Sequence, residues 1–389
     1  MRIVLNAIWS NDEPCDGHTV YCHNIVKQIL RLDKENQYLL YYYGQAKFDF
    51  LKAGKNVQSL SLERDSLIPR LLDRFRPYLW EEIRINAALV RFRPHILFQV
   101  GHWLDFVHYP LKKIHTIHDL AFLHPQYREY FPPDLLKELV DFTGPRVRQS
   151  HYLIAVSETT KRDIINYFQY PEERIAVIGH GFDDNIFNTE LKERGEIYGR
   201  LGITRPFIVS VGVLQPRKNF QRLIRAFASL KNTHNIPHKL VIVGGRAWQY
   251  REIEDLPESL GIADDVVFTG FLPVRDLACL VKGSDLFVLP ALYEGFGIPV
   301  IEAMACGIPV AASNVGSLPE VLGDAGLQFD PYSVDDIADK MHQVLSSTTL
   351  KEDLIRRGLE RAESFSWERA ARETIEVFKK ASREGLACR

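Results

Sequence analysis

The sequence is poor in cysteine and contains no long apolar run. Its five cysteines are scattered without a C-x-x-C pair, so neither a disulfide framework nor a zinc knuckle is indicated, and a reducing compartment fits best. No stretch approaches the ~18 consecutive apolar residues that cross a bilayer. The first residues also lack the charged flank and long apolar core of a signal peptide. We therefore expect a cytoplasmic protein.

A strong net charge is missing as well. The 48 lysines and arginines nearly balance the 50 aspartates and glutamates, for a formal net charge of -2, which argues against a protein that wraps nucleic acid. Hydrophobic residues make up 46% and charged residues 25% of the chain, a composition typical of globular rather than disordered or fibrous proteins. With 389 residues, the chain is long enough for two domains.

Short β-rich runs alternate with longer amphipathic stretches, which is typical of parallel sheets covered by helices. The first series of predicted strands is Arg2–Ala7, Tyr38–Tyr43, Ile96–Val100, Lys113–Ile117, Tyr152–Ala155 and Ile175–Val177. The second series is Phe207–Val213, Lys239–Val243, Val266–Thr269, Leu286–Leu289 and Pro309–Ala312.

A polar, glycine-containing stretch, Gly179–Arg205, interrupts this alternation and predicts a boundary between two α/β halves. We place an N-terminal domain at residues 1–183 and a C-terminal domain at residues 184–365. The segment Ser366–Ala381 begins with a serine suited to cap a helix and has an apolar helical pattern, but no strand follows it. We therefore expect residues 366–389 to complete the first domain as a helix.

The segment Leu289–Pro309, LPALYEGFGIPVIEAMACGIP, has the pattern of an anion site. A predicted strand leads into a glycine-containing loop, and Pro299 suits the first turn of the helix that follows. Glycine lets the backbone approach a ligand, and free N–H groups at a helix start favour a phosphate. Glu294 is placed to reach a sugar hydroxyl and Glu302 to accept from a ribose diol. A glycine-rich loop alone is also common in α/β proteins without such a site.

A second segment, Ser210–Phe220, SVGVLQPRKNF, follows another predicted strand. Gly212 lies where that strand ends, and Arg217 and Lys218 precede a helix, where they suit a diphosphate. Adjacent cations before a helix are equally typical of solvated surface charge. Two further strand ends have residues that fit a backbone close to a nucleotide, namely Gly244, Thr269, Gly270 and Phe271.

Together these segments resemble the retaining glycosyltransferases of family 4. The resemblance covers essentially the whole chain and rests on an E-x7-E signature from Glu294 to Glu302, the loop GVLQPRKNF, the segment VVFTGFL, and the flanking motifs VSETTKRDI and SNVGSLPEVLGDAGLQFDP. Each motif is weak alone, whereas the combination is specific. The resemblance implies the α/β GT-B fold, in which two Rossmann-like domains with parallel sheets face each other across a cleft.

The resemblance also implies roles for individual residues. Glu294 would contact the transferred sugar and Glu302 the nucleotide ribose, while Arg217 and Lys218 would neutralise the leaving diphosphate. Backbone N–H groups of the glycine-containing loop would meet the donor sugar and phosphate at Gly295, Phe296, Gly297 and Ile298.

In the first half, the resemblance implies that His118, at the end of a predicted strand, faces the donor sugar and the reaction centre, with Asp119 a weaker candidate. The family commonly has a glycine-rich loop after the first strand. Here NDEPCDGHTVYCHNIV supplies Gly17, which we expect near the phosphates or the acceptor.

The histidines are concentrated in the first 151 residues, which contain nine of the 13. No H-x3-H pair organises them and no cysteine supports them in a metal-ligand pattern, so we expect no metal site. The family resemblance likewise implies transfer without an essential metal and without a cofactor other than the nucleotide-sugar donor.

The loop PRKN and the motif LYEGFG are similar to those of bacterial mannosyltransferases and favour GDP-mannose as donor, with a hydroxyl of a polysaccharide or lipid-linked glycan as acceptor. A UDP- or dTDP-sugar, a sugar-nucleotide epimerase and a non-catalytic sugar-nucleotide-binding protein stay open. A nicotinamide oxidoreductase is disfavoured because NDEPCDGH stands where G-x-G-x-x-G would follow the first strand.

The segment Arg64–Arg93 interleaves seven arginines and four acidic residues with apolar side chains. It could rest on an anionic membrane surface, which suits an enzyme with a lipid-linked acceptor. An ordinary surface helix with a basic outer face is the alternative.

Overall fold

A computed structural model describes residues 1–11, 16–52, 54–63, 78–101, 107–192 and 195–383. Within these residues, seven parallel strands form a first sheet in the order β3-β2-β1-β4-β5-β6-β7. Its strands are β1 Arg2–Asn6, β2 Gln37–Tyr42, β3 Val57–Ser61, β4 Ile96–Gln99, β5 Lys112–Ile117, β6 Tyr152–Ala155 and β7 Ile175–Val177.

A second sheet of six parallel strands, again counted over the described residues, has the order β10-β9-β8-β11-β12-β13. Its strands are β8 Phe207–Val211, β9 Lys239–Val243, β10 Val266–Gly270, β11 Leu286–Leu289, β12 Val310–Ser313 and β13 Leu327–Phe329. The predicted α/β class with parallel sheets is therefore confirmed.

Burial explains which strands the sequence reveals. Every residue of β4, β6, β11 and β12 is buried, because helices cover both faces of a parallel sheet and its strands become continuous apolar runs. All the predicted strands are present, with ends that differ by at most two residues. The edge strands β3 and β13 were not predicted. Each has one buried residue, of five in β3 and of three in β13.

Helices connect the strands. The α-helices are α1 Gly17–Leu32, α2 Leu79–Phe92, α3 Pro133–Gln149, α4 Glu158–Phe168, α5 Gly195–Leu201, α6 Phe220–His234, α7 Arg251–Glu254, α8 Leu256–Ser259, α9 Val274–Gly283, α10 Ile298–Ala305, α11 Leu318–Leu322, α12 Val334–Ser346, α13 Thr348–Ala362 and α14 Trp367–Arg383. Short 3-10 turns lie at Trp9–Asn11, Asp49–Leu51, Ala121–Leu123, Pro125–Tyr130, Glu172–Arg174, Pro216–Lys218 and Ala263–Asp265. None of the described helices combines the length and the apolar composition needed to cross a membrane.

The chain divides into two units. The first contains Met1–Leu120, Lys137–Gly179 and Trp367–Arg389, and the second contains Ala121–Leu136 and His180–Ser366. The change of unit at Gly179 lies slightly before the boundary expected from sequence. Sequence reasoning placed Ala121–Leu136 in the first domain, whereas this segment packs in the second unit, where Tyr127 contacts Tyr293 at a ring-centroid distance of 5.5 Å.

The terminal helix α14 belongs to the first unit. Its Trp367 ring lies 5.9 Å from Tyr21 of α1, and its Phe378 ring lies 5.2 Å from Phe98 of β4. The buried face of α14 also contains Ala371, which is fully buried. This apolar face explains why a helix without a following strand has a fixed place in the fold.

Candidate functional site

The strand order of the second sheet reverses between β8 and β11. These two strands are neighbours in the sheet, although β9 and β10 lie between them in sequence. In open α/β sheets, ligands bind outside the carboxyl ends of the strands at such a switch point. The loop after β8 contains Gly212, Arg217 and Lys218, and the loop after β11 contains Glu294. Predicted residues from two distant segments therefore meet at one edge of this sheet.

The centre of the site is an ion pair between Lys218 and Glu294. The Lys218 Nζ atom donates to Glu294 Oε1 at 2.5 Å, and the two side chains are only 17% and 12% exposed. A Cβ atom on Gly212 would lie 3.4 Å from Lys218 Cδ, so the absence of a side chain there leaves room for the lysine stem. The pair places a cation and a carboxylate side by side in a largely buried position.

Arg217 joins the two loops beside this pair. Its guanidinium Nη1 donates to the Tyr293 carbonyl oxygen at 2.5 Å, and the Leu292 N–H donates to the Arg217 carbonyl oxygen at 2.9 Å. The short turn Pro216–Lys218 is thus bonded to the residues directly before Glu294. Both predicted cations therefore hydrogen-bond to the loop that carries the carboxylate.

Asn219, which sequence reasoning did not single out, fixes the end of the same turn. It adopts the left-handed conformation at φ 60° and is 3% exposed. Its Nδ2 atom donates to the carbonyl oxygens of Pro290 at 2.9 Å and Pro331 at 2.8 Å. Asparagine tolerates this backbone conformation better than most residues, and an Asn directly before a helix was the available signal.

Gly316 and Ser317 contact the backbone of Glu294. A Cβ atom on Gly316, whose φ is +63°, would lie 2.8 Å from the Glu294 carbonyl oxygen and 3.0 Å from its nitrogen. The Ser317 hydroxyl lies 2.9 Å from the carbonyl oxygens of both Glu294 and Phe296, which share its one hydrogen. These two residues lie in the motif SNVGSLPE, which marked the segment without revealing this contact.

The helix α10 begins at this loop. Gly297 has φ +103°, and a Cβ atom there would lie 2.7 Å from Leu318 Cδ2, so glycine is required at the helix start. The first N–H groups of a helix have no acceptor within it. In this first turn Pro299 has no N–H and the Val300 N–H donates to the Gly297 carbonyl oxygen at 3.0 Å, so the Ile298 N–H is the group suited to an anion. Phe296 has a buried side chain whose ring lies 4.6 Å from His180. Gly295 is buried in the same loop.

Glu302 lies one turn further along α10. Burial of its carboxyl group, together with the nearby carboxylate of Asp183, raises the pKa of Glu302 to about 8. A carboxyl group whose ionised form is this costly has more to gain from hydroxyl donors than an exposed one. This environment suits a carboxylate that accepts hydrogen bonds from a bound ligand.

The remaining predicted residues of this unit lie at the ends of β9 and β10. A Cβ atom on Gly244 would lie 2.0 Å from the Gly212 carbonyl oxygen, so close backbone packing demands glycine at that position. The Gly244 N–H donates to the Gly270 carbonyl oxygen at 3.1 Å, and the Thr269 hydroxyl donates to the same oxygen at 2.9 Å. Phe271 follows with 56% of its surface exposed, which leaves an aromatic face open for a planar ligand.

The segment Ala121–Leu136 packs against the loop that carries Glu294. The rings of His124 and Tyr127 lie 5.2 and 5.5 Å from Tyr293, the residue before Glu294. Trp248 Nε1 donates to the Tyr130 carbonyl oxygen at 2.7 Å. Sequence reasoning missed this support, because it depends on a segment that is distant in sequence and was expected in the other domain.

In the first unit, His118 lies just after β5. Its Nε2 atom is 3.0 Å from the Val100 carbonyl oxygen, and its ring lies 4.9 Å from His18 and 4.7 Å from Tyr21. Burial lowers the pKa of His118 to about 3, and the nearby His18 makes a smaller contribution to this decrease. The imidazole is therefore neutral at physiological pH and serves as a hydrogen-bonding group rather than as a cation.

Gly17 is the first residue of α1 and is exposed. The Asp16 carboxylate already caps this helix start, since its Oδ1 accepts from the Thr19 N–H at 2.8 Å. Other histidines of the first unit have separate partners: His95 Nδ1 accepts from the Arg2 N–H at 3.0 Å, and His115 Nδ1 lies 2.7 Å from Ser150 Oγ. His102 lies outside the described residues, as do residues 64–77 of the basic segment.

Two family models match the chain: Glycosyltransferase Family 4 over residues 16–186 and Glycosyl transferases group 1 over residues 196–361. The O-antigen chain mannosyltransferase B of Escherichia coli is 29% identical over 374 residues, which cover 94% of this chain and 96% of that protein. The serotype-specific mannosyltransferase WbdA of Escherichia coli is 29% identical over 281 residues, 69% of this chain and 33% of its own length. Among solved structures, Anabaena HepE in complex with UDP and glucose has a TM-score of 0.72 at 20% identity, with 98% of this chain and 100% of that chain covered.

Proposed function

The chain belongs to the family 4 glycosyltransferases and has the GT-B fold, and we propose that it moves a hexose from a nucleotide diphosphate sugar to a glycan hydroxyl with retention at the anomeric carbon. The observation that carries this proposal is the pairing of Lys218 with Glu294 at the switch point of the second sheet. A cation for the diphosphate and a carboxylate for the sugar are held there beside the start of α10. The arrangement suits a negatively charged leaving group next to sugar hydroxyls.

In the proposed reaction, the bond between the anomeric carbon and the donor phosphate oxygen breaks. The acceptor oxygen bonds to the anomeric carbon on the face that the diphosphate leaves, and the acceptor proton passes to a donor phosphate oxygen. Arg217, Lys218 and the N-terminal end of α10 stabilise the charge that develops on the diphosphate. These groups supply the positive charge themselves, so we expect transfer to proceed without a metal ion.

The nucleotide is expected along the same sheet edge. Glu302 accepts hydrogen bonds from the ribose diol, and the exposed ring of Phe271 stacks on the base, with Thr269 and Gly270 lining the approach. Stacking of a base on an aromatic ring contributes ~1–3 kcal/mol in single-stranded nucleic-acid complexes. In the first unit, neutral His118 contributes a hydrogen bond at the reaction centre, and Gly17 contacts the phosphates or the acceptor.

We propose GDP-mannose as the preferred donor and a polysaccharide or lipid-linked glycan as the acceptor. The support is the similarity to O-antigen chain mannosyltransferase B and WbdA together with the PRKN and LYEGFG motifs. Donor choice depends on a few contacts with the base and the sugar, and it is therefore tested directly.

The test begins with thermal unfolding of the purified chain in the presence of GDP-mannose, UDP-, dTDP- and ADP-sugars, and NAD. A ligand that binds the folded state raises the Tm, and at equal ligand concentration the shift increases with affinity. We expect the largest shift with GDP-mannose. Transfer of labelled mannose to glycan acceptors is then measured with and without EDTA. Stabilisation by NAD and by no nucleotide sugar would overturn the proposal, whereas donor binding without transfer or hydrolysis would indicate a sensor.

Peripheral contact with a membrane is the remaining part of the proposal. Helix α2 exposes 49% of Ile83 and 64% of Val90, which share a face seven residues apart, and Arg84 and Arg91 lie on the same helix. Apolar side chains with neighbouring arginines suit an anionic lipid surface. Sedimentation with anionic vesicles should weaken in an Ile83→Ser and Val90→Ser double variant. A Val274→Ser variant, exposed in the second unit, serves as the control, and equal sedimentation of all three proteins would contradict the contact.

A further inference from the structure

Three potential metal ligands meet at the start of α1. His18 and Cys22 are four residues apart and therefore lie on the same face of this helix. His118, which follows β5, completes the group: one ligand atom from each of the three residues lies within 4.8 Å of the other two. We propose that His18, Cys22 and His118 form a binding site for a divalent transition metal, with zinc the best match, and that its occupancy inhibits transfer.

The observed spacing is close to that of a bound zinc site. Zinc bonds of ~2.0 Å to nitrogen and ~2.3 Å to sulfur, at tetrahedral angles, give a sulfur–nitrogen separation of ~3.5 Å and imidazole centroids ~5 Å apart. In the structure, Cys22 Sγ lies 3.8 Å from His18 Nε2, and the two imidazole centroids are 4.9 Å apart at an interplanar angle of 72°. The three ligand atoms lie within 4.8 Å of one another, so the side chains have to move closer together by rotation when an ion binds.

Neighbouring groups position the two histidines in a way that is compatible with metal binding. The Val100 carbonyl oxygen lies 3.0 Å from His118 Nε2, so that nitrogen carries the proton and Nδ1 carries the lone pair. His18 packs against Gly101, where a Cβ atom would lie 2.6 Å from His18 Nε2. The missing side chain at Gly101 therefore makes room for the imidazole.

The ligand set also determines the class of metal. One thiolate and two imidazoles favour zinc or another soft first-row ion over magnesium or calcium, which prefer oxygen ligands. Three protein ligands leave a fourth position for water or a substrate group. His18 is partly exposed while Cys22 is fully buried, so we expect the ion to enter past the imidazole.

The consequence for the enzyme follows from His118. In the proposed function, this imidazole hydrogen-bonds at the reaction centre, and a metal on Nδ1 fixes its ring and places a positive charge beside it. We therefore expect zinc to act as a reversible inhibitor of a reaction that does not require it. This inhibitory effect rests on the proposed function, whereas metal binding itself does not.

The test uses Co²⁺ as a spectroscopic substitute for zinc on the full chain. We expect one Co²⁺ per chain, with thiolate-to-metal charge-transfer absorption and the visible bands of a four-coordinate ion, both displaced by Zn²⁺. Cys22→Ser should remove the charge-transfer band, and His18→Ala should weaken Co²⁺ binding at least tenfold. Cys279→Ser, which alters another buried cysteine, should behave as wild type. Absence of the charge-transfer band in wild type, or its persistence in a folded Cys22→Ser protein, would overturn the proposal.

A second measurement covers the case in which Cys22→Ser unfolds. Zn²⁺ should inhibit wild-type transfer, EDTA should restore it, and Cys22→Ala should raise the inhibitory Zn²⁺ concentration at least tenfold. If no donor supports transfer, the proposed function fails while the Co²⁺ spectrum still decides the metal site. If transfer occurs but Zn²⁺ inhibits wild type and Cys22→Ala equally, the inhibitory role is wrong.

Discussion

The six strands of the second sheet follow the same order as the first six of the seven-stranded first sheet, yet the groups at the carboxyl edges of the two sheets are held in different ways. In the second unit, Lys218 and Glu294 form a largely buried ion pair, and backbone contacts from Gly316 fix the loop that carries the carboxylate. In the first unit, the rings of His18 and His118 pack against each other, His118 hydrogen-bonds to the Val100 carbonyl oxygen, and His18 Nε2 lies 3.8 Å from Cys22 Sγ. Backbone contacts resist displacement, whereas side-chain ends can rotate away. We therefore expect the charged groups at the second edge to keep their positions, and the side chains at the first edge to move more readily.

The largest effect is expected for Lys218→Ala. This change removes the proposed cation of the diphosphate and leaves Glu294, which is 12% exposed, without its ionic partner. Losing one preorganised charge-stabilising group typically costs ~10²–10³ in kcat, and we expect the upper end here. Lys340→Ala is the control, because Lys340 lies 3.9 Å from Asp336 in a more exposed pair, and its turnover should equal that of wild type. A loss below tenfold for Lys218→Ala would contradict the view of the second edge as fixed electrostatics.

Gly316→Ala tests whether backbone contact positions Glu294. The new Cβ atom would lie 2.8 Å from the Glu294 carbonyl oxygen, and backbone cannot rotate away. A displacement of ~1 Å can cost ~10² in rate, so we expect kcat to fall about a hundredfold while the chain remains folded. Gly261→Ala has the same backbone conformation, with φ +70°, but nothing within 4 Å of the new atom. It controls for backbone strain, and equal turnover in both variants would remove the positioning role of Gly316.

Glu302 gives the second edge a pH dependence. With a pKa of about 8 against an ordinary 4.5, the carboxyl group is protonated at neutral pH. In the proposed function it loses this proton in order to accept hydrogen bonds from both ribose hydroxyls. The Kd for GDP should therefore fall by up to about tenfold per pH unit from pH 6 to 8 and then level off. Calorimetry in buffers of different ionisation enthalpy should detect release of about one proton at pH 7. In Glu302→Gln, binding should be weaker and independent of pH over this range.

The same pKa has a consequence for stability, with a fixed sign. Between pH 4.5 and about 8, the folded, ligand-free protein holds a proton on Glu302 that the unfolded chain has released. The contribution of Glu302 to stability therefore decreases as pH rises through this range. Glu302→Gln should remove that decrease in thermal unfolding experiments.

The binding experiment has its own contrary outcome. A wild-type GDP affinity that does not change with pH would show that the diol binds the protonated carboxyl group.

Local patterns were sufficient for most of the fold. Buried strands such as β4 and β11 are continuous apolar runs, and the glycine-containing loop before α10 has a recognisable helix start. The edge strand β3, with one buried residue in five, lacks such a run, since among the described strands β2 alone pairs with it. Predictions from sequence therefore succeed where burial imposes a pattern and fail where it does not.

The site was predicted in part for a related reason. Residue types at strand ends singled out Lys218 and Glu294, because charge and position are visible in the sequence. The structure brings the two side chains together, while their roles stay predictions. The supports of these residues were not visible, since Asn219 bonds to Pro290 and Pro331 over separations of 71 and 112 residues. The meeting of His18 and Cys22 with His118 likewise depends on contacts between residues about 95 to 100 apart in sequence, such as Tyr21 with Thr116, which no local pattern encodes.

The smallest effect is expected for Gly101→Ala, which mirrors Gly316→Ala in the first unit. The new Cβ atom would lie 2.6 Å from His18 Nε2 and 2.9 Å from Trp9 Cδ1, and both atoms belong to side chains that can rotate. We expect transfer to change by no more than about threefold, because exposed or movable contacts contribute little compared with fixed ones. Co²⁺ affinity should nevertheless drop, since the displaced imidazole is one of three proposed ligands. If Gly101→Ala lowers kcat as strongly as Gly316→Ala, the first edge is as rigid as the second, and the contrast between the two sheets does not hold.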